Sequence, residues 1–386
     1  MKERLTPKQR LLLAMTNQVP DRVPCTPDIS NMVPARLTGK TFEHVYLHHN
    51  PPLGEAYLRA VEQLDLDGWW PNWEPRRITD TAGQIDLQVR LEHRSDGAID
   101  EHKRVVTPAG ELTQTLRYFP DNPPAMTEKP IKDLAADLPA WKAWQGELVD
   151  IDTGDFAEAY ARAGDRCISG TCVLPGGLQN LEMYLHGGIE EASVMALERP
   201  ELVDEWMDHH NRNTLRLVEM LLDRCEPPMD FLLIGASGLG MFNTEDQLRR
   251  WVLPGVQDIT RICKQAGVPT MLHSCGRARK LVQILADETD LDCFNPLEKP
   301  PMGNCVLSEV KQALGEKISL MGNLHTTDVM LRGTAEQVRA AAREAIADAG
   351  ANGGFILSTG DQCGRDTPLD NFAAMLEVCR NEGRYD

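Results

Sequence analysis

The chain has 386 residues, 42% of them hydrophobic and 25% charged, the composition of an ordinary globular protein with a large core. Forty basic against 58 acidic residues give a net charge of −18, which repels nucleic-acid phosphates and anionic lipid and argues against both as partners. Neither a signal-peptide core at Met1-Lys2-Glu3-Arg4-Leu5 nor an apolar run of membrane-spanning length is present, so a cytoplasmic protein is expected; its 10 cysteines are scattered, and a reducing compartment keeps them as thiols.

In chain order, a short helical run is followed by a proline-punctuated stretch containing Pro20, Pro24, Pro27 and Pro34. Within it, Val23 to Ile29 is the first strand candidate, and Leu66 to Trp70 the second. Alternation then places Ile85, Leu87, Val89 and Leu91 on one face, and Val105-Val106, the turn Thr107 to Gly110 and Glu111 to Tyr118 read as a hairpin. This is a β insertion over about residues 79–118, and Pro120 to about Gly154 reads as a connecting arm.

From about residue 165, apolar runs alternate with helical stretches, the pattern of βαβ units and a parallel sheet. The strands expected are Cys167 to Cys172, Phe231 to Ala236, Pro269 to His273, Leu291 to Pro296, Ile318 to Gly322 and Phe355 to Ser358. Thr334 with Gln337 forms a capping box, and Thr367-Pro368 is expected to open the last helix with proline at its first position. Eight strands in all predict an α/β (β/α)₈ TIM-type barrel spanning residues 1–386 as one domain, with an open doubly wound sheet as the alternative. No glycine-rich dinucleotide fingerprint follows the first strand, which disfavours a nicotinamide enzyme.

In such a barrel the chemistry sits where strands end. His273 and Cys275 are two apart on an extended segment at a strand terminus and so point the same way. Glu298 follows the next strand, and Cys363 follows the last one. One imidazole, two thiolates and a displaceable carboxylate suit zinc and not magnesium or calcium. Taken alone, a His-x-Cys tripeptide occurs by chance, and a Glu beside Lys299 is often a solvated pair; the common strand-end placement is what gives the set weight. Asp361 can support the metal from behind or serve only the turn before Gly364. Trp69, Trp70 and Trp73, in Trp69-Trp70-Pro71-Asn72-Trp73, would bring aromatic rings to the barrel mouth to stack on a substrate, unless they pack in the core. His325 can donate a proton to a departing oxygen, or be an ordinary loop residue. His48-His49 and His209-His210 read as surface residues.

These residues, with Thr6-Pro7-Lys8-Gln9-Arg10, Asp21-Arg22-Val23-Pro24, His273-Ser274-Cys275-Gly276, Met321-Gly322-Asn323-Leu324, Gly333-Thr334 and Asp366-Thr367-Pro368-Leu369-Asp370-Asn371, give a chain that resembles the uroporphyrinogen decarboxylase superfamily. The resemblance implies a (β/α)₈ barrel. True decarboxylases of that superfamily hold an acidic tetrapyrrole with an N-terminal arginine-rich segment, whereas this chain reads Pro24-Cys25-Thr26-Pro27-Asp28-Ile29-Ser30-Asn31 there. The zinc-dependent methyltransferase branch carries His-x-Cys and a distant Cys, which His273, Cys275 and Cys363 match one by one, and Glu298 takes the place of an acidic ligand in cobalamin-independent methionine synthase. Many relatives have an acidic residue where this chain has His325, and Gly235-Ala236-Ser237-Gly238 resembles the methyltransferases only loosely.

The resemblance therefore implies methyl transfer from a small methylated compound, such as a methoxylated aromatic undergoing O-demethylation, to the cobalt of a separate corrinoid (cobalamin) protein. Methyl transfer from the methylcorrinoid to a thiol is the alternative, and a site left net negative by two thiolates and a carboxylate favours it. A metal-free decarboxylase and a non-catalytic zinc-binding protein are the readings from other classes. The sequence is compatible with a homo-oligomer and does not specify one.

Overall fold

The computed structural model describes residues 4–70 and 73–385, so Met1, Lys2, Glu3, Pro71, Asn72 and Asp386 lie outside the described residues. The strands, in chain order, are β1 (Gly68–Trp70), β2 (Arg76–Thr79), β3 (Asp86–His93), β4 (Ile99–Thr107), β5 (Gly110–Tyr118), β6 (Ala125–Glu128), β7 (Leu148–Asp152), β8 (Cys167–Val173), β9 (Phe231–Gly235), β10 (Thr270–His273), β11 (Cys293–Asn295), β12 (Ser319–Leu324) and β13 (Phe355–Thr359). Seven of them form one sheet in the order β1-β8-β9-β10-β11-β12-β13, every pair parallel. Helices run between successive members, so this is the expected α/β barrel.

The eighth stave is not a regular strand. Pro24 and Pro27 lack N–H groups, so the segment from residue 23 to 26 makes only sparse ladder bonds. Pro24 O accepts from Leu357 N (3.0 Å), Thr26 N donates to Leu357 O (3.0 Å), and Cys25 O accepts from Asp67 N (3.1 Å). One side of the segment thus meets β13 and the other the start of β1, which closes the ring.

A buried ionic network pins this closure at the base. Arg10 Nε donates to Asp21 Oδ1 (2.7 Å) and Arg10 Nη1 to Asp67 Oδ1 (2.6 Å), while Arg22 Nη1 and Cys25 N each reach Asp67 Oδ2 at 2.8 Å. Arg10, Arg22 and Asp67 are at most 1% exposed. Charges so deep are tolerated only when paired and hydrogen-bonded, as every one here is. The helix Pro7–Met15, opened by a capping box between Thr6 and Gln9, plugs the same end: Leu11, Ala14 and Met15 share an apolar cluster with the lumen residues Trp69, Ile168, Phe231, Met271, Cys293, Met321 and Ile356.

The insertion is larger than a hairpin. β3, β4, β5 and β6 form a four-stranded antiparallel sheet, and β2 pairs with β7 as a separate antiparallel ribbon. The stretch read as a connecting arm contains β6, the helix Leu134–Gln145 and β7. Leu87, Val89 and Leu91 do share a face, but it stays 44–50% exposed. Trp141 on that helix ties the insertion to the long helix Pro200–Arg224 by a ring contact with Trp206 at 5.3 Å.

Helix ends follow the sequence signals, with one exception. Thr334 Oγ1 accepts from Gln337 N (3.3 Å) and Gln337 Oε1 from Thr334 N (2.8 Å), completing the expected box. Pro368, by contrast, is itself the cap of the helix Leu369–Asn381, and the Thr367 hydroxyl is buried without a hydrogen-bond partner. No described helix is long and apolar enough to cross a membrane.

Candidate metal centre

The C-terminal ends of the barrel strands open into a cavity of about 710 Å³, large enough for a substrate of moderate size. His273 ends β10 and lies in register with Asn295 at the end of β11. The imidazole Nδ1 and Asn295 Oδ1 are 2.6 Å apart. Asn295 Nδ2 in turn points to Met321 O (3.4 Å), which orients the amide so that its oxygen faces the imidazole and Nδ1 carries the proton. Nε2 is thereby left as the nitrogen turned toward the site, the one that would bind a metal on losing its proton.

Nε2 faces Asp361 Oδ1 at 3.8 Å, and the candidate donor atoms of His273, Cys275 and Asp361 all lie within 4.8 Å of one another. Asp361, read from sequence as a support, thus belongs to the converging group itself. Burial alone would push the His273 pKa down, but the hydrogen bond to Cys275 and the charges of Asp361 and Asp28 raise it to about 9. The imidazole therefore holds a positive charge where a divalent cation would sit. A nitrogen, a sulfur and a carboxylate oxygen facing one point are donors that fit zinc.

Glu298 and Cys363 stand beside that group and are not members of it among the described residues. Glu298 Oε2 accepts the Gly276 N–H, and a Cβ at Gly360 would come 3.4 Å from Glu298 Cγ, so the carboxylate spans from the Cys275 loop to the Asp361 loop. Burial pushes its pKa up and the neighbouring Asp361 adds to this, against the lowering effects of the Gly276 amide, His273 and His325. Cys363 is 1% exposed, and its N–H donates to Asp28 O at 2.8 Å. Burial and the nearby Asp28 hold its thiol far above the usual range.

The tryptophans separate by strand parity. Successive side chains on a strand face opposite sides, so only one of two adjacent tryptophans can enter the lumen. Trp69 does, and lines the cavity. Trp70 packs outward on Tyr57 with ring centroids 4.8 Å apart, and Trp73 packs on Phe156 at 4.6 Å with its Nε1 donating to Asp155 (2.8 Å). Neither lines the cavity, which corrects the expectation that they bind substrate. His325 uses its Nδ1 to accept Thr327 N (3.2 Å) and Asp328 N (3.0 Å), so it caps the helical turn Thr326–Leu331; it does not line the cavity, although its buried Nε2 has no hydrogen-bond partner and its charge bears on Glu298.

Two residues escaped the sequence reading. Asn295 is betrayed only by its register with His273 across two parallel strands. Asp28, 3% exposed, hangs from the closing stave beside the site, its backbone N–H donating to Thr359 Oγ1 (3.0 Å) and its Oδ1 accepting from Ser30 N (3.0 Å). Burial raises its pKa against the lowering effects of the Ser30 amide and His273.

The profile of the family described as Uroporphyrinogen decarboxylase (URO-D) matches residues 80–382. The chain belongs to that family. Among curated proteins it is similar to a methylated-thiol–coenzyme M methyltransferase of Methanosarcina mazei, 32% identical over 140 residues that make up 36% of this chain and 34% of that protein. It is also similar to a methylcobamide:CoM methyltransferase of the same organism, 28% identical over 187 residues, 47% of this chain and 49% of that one. The chain thus spans about a third and about half of the lengths of these curated relatives. A solved methyltransferase from Methanosarcina mazei shares the fold over 98% of this chain and 99% of its own, with a TM-score of 0.64 and 18% identity.

Proposed function

We propose that this family member is a zinc-dependent methyltransferase that moves a methyl group from a small methylated compound, a methoxylated aromatic in the favoured case, to the cobalt of a separate corrinoid protein. The observation that carries the reading is the convergence of His273, Cys275 and Asp361 on the wall of one cavity at the strand ends. Zinc held there would supply Lewis acidity toward the substrate heteroatom. The curated relatives, methyltransferases by name, agree with the reaction class.

The chain's own residues assign the remaining tasks. Trp69, Leu233 and Phe242 line the cavity with apolar surface on which a ring can rest. Asp28, Glu298 and Asp361 also line it, whereas no arginine or lysine does among the described residues. A substrate with an anionic tail would meet these carboxylates and, His273 aside, no cationic side chain among the described residues, which favours a neutral methyl compound over an anionic thiol. Glu298 is the group placed to hold a proton for a departing oxygen: its Oε2 is engaged by the Gly276 amide, leaving Oε1 free, and burial favours the protonated form. Cys363 stands ready as a further donor once its proton is displaced.

The test is a mixture of the purified protein, a reduced corrinoid protein and a panel of methyl ethers, amines and thiols, followed by cobalt absorbance and metal analysis. Methyl-cobalt is expected to form from a methyl aryl ether only in zinc-loaded protein. A metal-free preparation of full activity rejects the reading, and methylation of an added thiol by methylcorrinoid, with no reaction of any ether, transfers it to the opposite direction.

A further inference from the structure

A second cavity, of about 350 Å³, lies outside the barrel between the β2–β7 ribbon and the helices Leu134–Gln145 and Pro200–Arg224. Arg77, Trp141, Trp144, Tyr184, His209 and His210 line it. A void left by imperfect packing is lined by apolar side chains alone, whereas this one also carries Arg77, His209, His210 and Asn213. Its rings come from both helices and the loop after β8, and its cation from the ribbon.

The side chain of Arg77 makes no hydrogen bond or ion pair among the described residues. Its charge bears on Tyr184 and on buried His210. Strand alternation explains the placement: Arg77 and Thr79 line the cavity while Ile78 between them faces away and is 37% exposed. The histidines, read from sequence as surface residues, are interior. His210 lies flat on Trp206 at 4.6 Å with its Nε2 spent on Leu174 O (2.9 Å), so it offers a ring face and no charge. Trp141 Nε1 and His209 Nδ1 are buried polar atoms with no hydrogen-bond partner, on side chains 1% and 3% exposed. Glu147 Oε1 stands 3.4 Å from the latter.

Aromatic walls, the unmatched Trp141 Nε1 and one unpaired guanidinium are the complement of a flat ring bearing a carboxylate, which a guanidinium grips through two parallel hydrogen bonds. The volume admits a single ring. We infer that this cavity is a second small-molecule site, distinct from the cavity at the strand ends, and that it takes an aromatic carboxylate. Leu174 stands between the two: its side chain lines the larger cavity, and its carbonyl accepts from His210 and from Thr214 Oγ1 (3.1 Å) beside the smaller one.

Benzoate is the probe, titrated calorimetrically and by tryptophan fluorescence into the full chain with and without zinc, against benzyl alcohol and acetate. Saturable binding of benzoate is expected, at least tenfold tighter than of either comparison compound. Arg77→Met and Trp144→Ala should each weaken it at least tenfold with the thermal melt unchanged, because Arg77 is exposed and Trp144 half-buried. Cys275→Ala should leave it intact. Absence of saturable binding, equal affinity for benzyl alcohol, indifference to Arg77→Met, or loss in Cys275→Ala would each overturn the inference.

Discussion

The two ends of this barrel handle charge in opposite ways. At the base, Arg10, Arg22, Asp21 and Asp67 are buried and every charge meets its opposite at 2.6–2.8 Å. At the rim, His273, Cys275, Asp361, Glu298 and Asp28 crowd one region with more acceptors than donors, and burial or like charge pushes the Asp28 and Glu298 carboxyls up. A saturated network can only hold the fold, whereas one short of positive charge is built to receive it. The difference marks the rim, and not the base, as the candidate for function without reference to any relative.

The comparison breaks most sharply at Cys275. Cys275→Ala should abolish stoichiometric zinc binding and methyl transfer while changing the stability of the zinc-free protein by no more than about 0.5 kcal/mol, since the side chain is half-buried; metal analysis and denaturant melts check both halves. The mirror experiment is Asp67→Ala at the base. It strands two buried guanidinium groups and should cost about 3–5 kcal/mol in urea unfolding, with zinc still bound by whatever fraction remains folded.

Asn295→Ala is expected to act more gently, because it touches the metal only through His273. The affinity for zinc should fall about 10–100-fold in a chelator competition, with the fold intact. Smallest is the effect of acidity. With the His273 pKa raised to about 9, a proton competes with the cation at Nε2 throughout the neutral range. Apparent zinc affinity should therefore climb with pH, about tenfold per unit for one displaced proton, and flatten above about pH 9. A profile flat from the start would show that His273 Nε2 does not bind the ion.

What the sequence disclosed follows from what periodicity can encode. Apolar runs between helical stretches are a local signal, and the seven regular barrel strands lie where that signal places them. The eighth stave is expected as a strand over Val23 to Ile29, but it is not a regular one, because its prolines remove the donors that define a ladder. His273 and Cys275 are legible because two-residue spacing is local. Asn295 is not, since its role depends on the register of β10 against β11, and register is a tertiary fact. The adjacent tryptophans could have been sorted from parity alone: Trp69 and Trp70 face opposite sides of one strand. His325 carries no local mark that distinguishes a cap from an acid until Thr327 and Asp328 present their amides to it. The smaller cavity was out of reach for the same reason as Asn295, being assembled from a ribbon and two helices that meet only in the folded chain.

The stave that shuts the ring also sets a timetable. Its partners on the far side, the backbone of Leu357 and the hydroxyl of Thr359, are some 330 positions downstream. During synthesis the early segment can meet Asp67 at once, but its other side must wait until β13, more than 300 residues later, has left the ribosome. Asp28 waits with it, so the rim of the larger cavity is complete only once β13 has been made. A chain halted before Phe355 should accordingly be cut readily by protease around residues 20–30, while the released protein resists.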